Sequence, residues 1–125
     1  MSTHNQLNGV TLVAGSAIVR NRFVTVAADG KLDYTGATSV PADGVSCEDA
    51  AADLDAMTMA LMSGIAIVEC GAAVTRGLQV MSDSAGRAID LVAGAGTYIQ
   101  GRALDAGGAA GVKIRVLLGV HQDVS

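Results

Sequence analysis

The chain has 125 residues, of which 50% are apolar, yet one Phe, two Tyr and no Trp supply all its aromatic content. Twelve acids against eight bases give a formal charge of −4, and no Lys/Arg run or aromatic interleaving marks a nucleic-acid surface. The longest apolar stretch near the start, VTLVAGSAIV at 10–19, is too short to span a bilayer and has no base ahead of Arg20, which argues against a membrane segment and a secretory signal.

One modest domain is expected from a chain of this length. Its core must come from Ala, Val, Leu, Ile and Met, and small side chains bury little area each at roughly 25 cal/mol per Å². Sixteen glycines add unfolded-state entropy that folding must overcome. Such a domain is expected to draw further burial from self-association or a partner. Cys47 and Cys70 read as two unreactive free thiols in a cytoplasm-like compartment.

In chain order, residues 1–14, MSTHNQLNGVTLVA, form an N-terminal arm with a polar start and an apolar, β-prone segment from Leu7 to Val13. Leu7, Val10, Leu12 and Val13 are its candidate contact residues. Two readings stand side by side: an edge strand of the chain's own sheet, or a strand added to another protein's edge.

Residues 15–125 read as a single β domain that states one unit twice. GSAIVRNRFVTV at 15–26 stacks on GAAVTRGLQVMS at 71–82, matching Gly15 with Gly71, Ala17 with Ala73, Arg20 with Arg76 and Val24 with Val80. Asp29-Gly30-Lys31 is answered by Ala85-Gly86-Arg87, a turn glycine between short β-prone runs and so a hairpin signal. CEDAAADLDAM at 47–57 has helical composition, but its counterpart RALDAGGAAGV at 102–112 holds three glycines. Both are therefore expected as strand end, loop and next strand, with at most one helical turn around Glu48–Asp53. MTMALMSG at 57–64 falls against VKIRVLLG at 112–119, where Val112, Ile114 and Val116 alternate with Lys113 and Arg115 in the period-2 pattern of a strand. The pseudo-repeats are thus about 15–64 and 71–119. Two such units, packed by a pseudo-twofold, are expected to form a small barrel or sandwich with few exposed edges.

Residues that could carry chemistry are sparse. His4 and His121 stand near the two ends, no G-x-S-x-G elbow occurs, and the cysteines lack C-x-x-C spacing. Asp43, Glu48, Asp49, Asp53 and Asp55 cluster locally, but their spacing is wrong for a Ca²⁺ loop and fits a solvated acidic loop. GAGTYIQG at 94–101 has neither the Lys nor the following helix of a phosphate loop. No catalytic, cofactor or metal site is expected, and the chain is not read as an enzyme. Arg20 and Arg76, alike in the two units, are candidates for ion pairs across a subunit contact; the alternative is a solvent-facing charge on a half-buried strand.

Gly-x-Ala-[Ile/Val]-x-Arg ahead of a short strand, the hairpin turn, the run VSCEDAAAD with its E-D-A-A-A core at 48–52, the apolar strand ending in Gly64 and a second round closing on RVLLG at 115–119 resemble the capsid cement, or head decoration, proteins of tailed bacteriophages. Ser46 and Cys47 depart from the usual acidic run, and the resemblance spans roughly 15–119. It implies a β-tulip or small-barrel body with an extended N-terminal arm. It also implies a homotrimer on the outer capsid surface of the virion, at three-fold or quasi-three-fold positions. The partner is then the major capsid protein, whose strands the arm would pair with, and no catalytic residue or cofactor is implied. The alternatives are a head–tail connector or tail component, and a small ligand-binding barrel.

Overall fold

The structure, a computed structural model, describes residues 9–36, 41–52, 55–62, 64–92 and 97–122. Among them there is no helix, and the strands are β1 Gly9–Val13, β2 Phe23–Val26, β3 Leu32–Tyr34, β4 Gly44–Ser46, β5 Ala56–Leu61, β6 Ile65–Glu69, β7 Gln79–Ser82, β8 Ala88–Asp90, β9 Tyr98–Ala103 and β10 Lys113–Gln122. They form two five-stranded antiparallel sheets, ordered β1-β5-β4-β2-β3 and β6-β10-β9-β7-β8. The mainly-β class expected from the sequence is what the chain adopts, and the second order is the first repeated strand for strand.

The register shows how deep the repeat goes. Leu12 pairs with Met57 as Val68 pairs with Ile114, and Val24 pairs with Gly44 as Val80 pairs with Gly101. Gly44 and Gly101 occupy one role: a Cβ at either would overlap a carbonyl oxygen of the adjoining strand, that of Ala60 or Leu117. Met57 therefore corresponds to Ile114, and the extra residue of the second unit lies between β8 and β9. The sequence stack at 57–64 against 112–119 is two residues off, although it keeps the right face because strands have period 2. β1 and β6 are also equivalent, so the repeating unit starts at Gly9 and Ile65.

Each sheet curls on itself around a core of its own inward side chains. A single parallel bridge, Ala14 to Leu32 in the first unit and Cys70 to Ala88 in the second, brings the two edge strands together. Ile18, Val24, Leu32, Met57 and Met59 are buried inside the first curl; Val74, Val80, Ala88, Ile114 and Val116 hold the same places in the second. Among the described residues the strands form two separate sheets and not one closed barrel, and the edge strands of each meet only at that single bridge.

The two units meet at an asymmetric joint. Phe23, Ala42 and Val45 of the first unit enter the core of the second. The N–H of Phe23 donates to the Gly86 carbonyl at 2.7 Å, and the N–H of Glu69 donates to the carbonyl of Asn21 at 2.8 Å. Asn21 is in the left-handed conformation (φ 64), which turns its carbonyl outward. Arg22 reaches Glu69 at 3.1 Å and the Ala85 carbonyl at 3.2 Å, lies over the Tyr34 ring, and is only 14% exposed, as is Glu69. The Ser82 hydroxyl donates to the Thr35 carbonyl, and the N–H of Ala42 to Gln100 Oε1.

The expected pseudo-twofold is not present. It would set Gly77 against Val13 and Gln79 against Gly30, yet Gly30 has no heavy atom within 4 Å of where its Cβ would stand, and Val13 is exposed. The first unit offers one face and the second a different one, a heterologous contact.

Candidate functional site

The cross-strand register lays a row of side chains along the outer face of each sheet. In the first sheet the row is Gly9, Ala60, Val45 and Phe23; in the second the same positions hold Ile65, Leu117, Arg102 and Gln79. Phe23 and Val45 are buried against the second unit, whereas Ile65, Leu117, Arg102 and Gln79 are exposed. The second row forms a solvent-open groove of about 380 Å³ lined by Gln79, Gly101, Arg102, Leu117, Leu118, Gly119 and Val120. The β9–β10 register shifts between Leu118 and His121, which bends β10 away at Gly119 and Val120. Leu78 stands beside the groove half exposed, and Ile67 extends the apolar surface along the edge strand β6.

Such a face is an exposed, largely apolar stretch of surface. It gathers exposed aliphatic side chains around one cation, Arg102, which stands between Leu117 and Gln79 across the strands.

The arm residues have definite places. Leu7 lies outside the described residues. Val10 pairs with Met59, Leu12 with Met57 and Val13 with Ala56, so β1 is an edge strand of the chain's own sheet. Leu12 packs on the first core, and Val13 points outward at 37% exposure.

Arg20 and Arg76 are equivalently placed but not equivalently bonded. Asp49 accepts both the Arg20 N–H at 2.8 Å and its guanidinium at 3.4 Å, and that backbone bond, then the side-chain one, holds the Asp49 carboxyl below its usual range. Arg76 donates through Nε to the Leu104 carbonyl instead. Both contacts are within the chain. A stronger exposed pair, Arg115 with Asp105 at 2.8 Å, pins the loop before β10; side-chain and then backbone bonds from Arg115 hold Asp105 well below the carboxylate range.

The acids of the 43–55 segment serve the backbone. Asp43 accepts from Val26 N–H, Glu48 from Thr58 N–H, and Asp55 from the N–H groups of Ala51 and Ala52; Asp53 lies outside the described residues. Among the described residues no three His, Cys, Asp or Glu gather as a metal site. His4 is outside them, and His121 lies in β10. Both cysteines are free: Cys70 is buried and its thiol is pushed up by burial, then by Asp90 and Glu69, while Cys47 is exposed and open to reagents.

Sequence reasoning missed the Arg22–Glu69 pair and the Leu78–Arg102–Leu117 face. The available signal was a set of mismatches between the units: Arg22 against Leu78, Phe23 against Gln79, Val45 against Arg102.

The fold and this face define a β-protein of two curled, tandemly repeated sheets with an exposed groove on the second. That fold is shared with a solved structure, the N base of the head fiber gp8.5 of bacteriophage phi29, at a TM-score of 0.71 and 16% identity, over 89% of this chain and 92% of that one. No protein-family model matches the chain, and no curated protein matches it in sequence.

Proposed function

We propose that this chain is a structural protein of the outer surface of a tailed-phage head, a decoration protein that binds as a homotrimer and clamps adjacent major capsid protein subunits. The observation that carries the reading is the fold shared, end to end, with the base of a phage head fiber. The Gly-x-Ala-[Ile/Val]-x-Arg and E-D-A-A-A resemblance to cement proteins supports the finer assignment. The apolar groove around Arg102 supplies the kind of surface that a binding protein without chemistry needs.

A trimer would present each contact three times, so weak single contacts sum to strong retention on a lattice. The negative net charge suits the exterior of the shell rather than the packaged DNA. Clamping neighbouring subunits resists their separation under internal pressure and needs surface complementarity alone.

The neighbour's role as a fiber base favours a second reading, in which the domain anchors a projection without strengthening the shell. Heads stripped of the protein and then reincubated with it distinguish the two. The clamp reading expects co-sedimentation together with a higher temperature of DNA release; the anchor reading expects co-sedimentation with that temperature unchanged. Protein left in the supernatant contradicts both.

A further inference from the structure

The internal joint uses one face of each unit, and the duplication leaves the other two faces open. The second unit's copy of the docking face is the groove beside Leu78; the first unit's copy of the receiving face is the side of the β2–β3 hairpin and the end of β1. We infer that copies of this chain join head to tail, the groove of one receiving the hairpin side of the next, so that the contact between chains repeats the contact within the chain. This deepens the homotrimer of the proposed function and rests on it for the number of copies.

The substitutions at equivalent positions carry the inference. Arg22 and Glu69 meet across the internal joint at 3.1 Å. Their equivalents on the open faces are Leu78, 50% exposed, and Val13, 37% exposed. An ion pair has been exchanged for two aliphatic side chains at the two ends of one contact, on surfaces far apart in the sequence. Either residue alone is an ordinary exposed hydrophobe. Together they are the apolar counterpart of the same contact, as expected where the two faces meet.

A further position agrees. Ser82, buried at the joint with its hydroxyl on the Thr35 carbonyl, corresponds to Val26, which is exposed, and Thr35 corresponds to Leu91. Charge is complementary in part: Arg102 lies in the groove, while Asp29 and Asp43 are exposed on the hairpin side, which also carries Lys31. Arg102 set against these acids favours head-to-tail over head-to-head pairing. A heterologous contact of this kind closes into a ring when its rotation permits, and three chains would then place six units around it.

The test exchanges the pairs. L78R and V13E are made singly and together, and association is followed by sedimentation velocity across a concentration series. Each single variant leaves one charge facing an aliphatic side chain and is expected to weaken association about tenfold or more. L78R/V13E rebuilds across chains the pair that Arg22 and Glu69 make within one, and is expected to return to within about threefold of the wild type. Recovery in the double variant also shows that the singles had folded. A wild-type trimer untouched by either single variant, or a double variant no better than the singles, overturns this pairing of faces and leaves a trimer built on other surfaces standing. A wild type that stays monomeric throughout overturns the contact and the trimer alike.

Discussion

At the scale of the residue, the joint between the units turns on Arg22 and Glu69. Both are mostly buried, Arg22 Nε has no hydrogen-bond partner among the described residues, and the pair is held by the Tyr34 ring and the Ala85 carbonyl. Removing one partner leaves a desolvated charge, so Glu69→Ala is expected to cost about 2–3 kcal/mol in urea unfolding. Replacing both with the residues of the open faces, R22L/E69V, is expected to stay within about 1 kcal/mol of the wild type. A double variant worse than E69A would mean that the joint needs charge and not merely packing. Asp105 supplies a pH prediction of known sign. Arg115 lowers its folded pKa, so the stability it contributes is complete above the unfolded carboxylate pKa and is lost as pH falls through the folded one. The stability gap between wild type and Asp105→Asn is therefore expected to be constant above about pH 5 and to shrink below about pH 4. A gap that widens on acidification would contradict the pairing.

At the scale of the element, β1 is the strand whose role the sequence left open. GVTLV at 9–13 and IAIVE at 65–69 share no identical residue, and a strand's side chains need only alternate in character, so stacking the two units on identities cannot find this match. The same holds at positions 34 and 90. The Tyr34 hydroxyl accepts the Val19 N–H, and the Asp90 carboxylate accepts the Thr75 N–H, so one backbone need is met by two different groups. By contrast, the hairpin glycines and Gly44/Gly101 are legible or recoverable because backbone sterics admit few residues there. The mainly-β class and the duplication were readable for that reason. The asymmetric joint was not, since its residues differ between the units by design of the contact. Deleting residues 1–13 would strip β5 of one of its two neighbours and open the core at Met57, with an expected fall in melting temperature of about 10 °C or more. A truncated chain as stable as the full one would mean that β1 is a detachable arm.

At the scale of the whole molecule, a core almost without aromatic residues stands beside an exposed aliphatic face. Two curled sheets poor in aromatic residues leave several large aliphatic ones, Ile65, Ile67, Leu78 and Leu117, on the outer surface of the second unit. Such an allocation makes sense if that surface is covered in the working assembly. The chain would then be firm only among its own copies and on a lattice. The most direct measurement is a cryo-EM reconstruction of heads saturated with the purified protein. The account predicts three-fold symmetric density on the outer surface, with the second unit's groove of each chain seated on the first unit of its neighbour. Density confined to the tail or its vertex, or heads that remain bare at saturation, would contradict it.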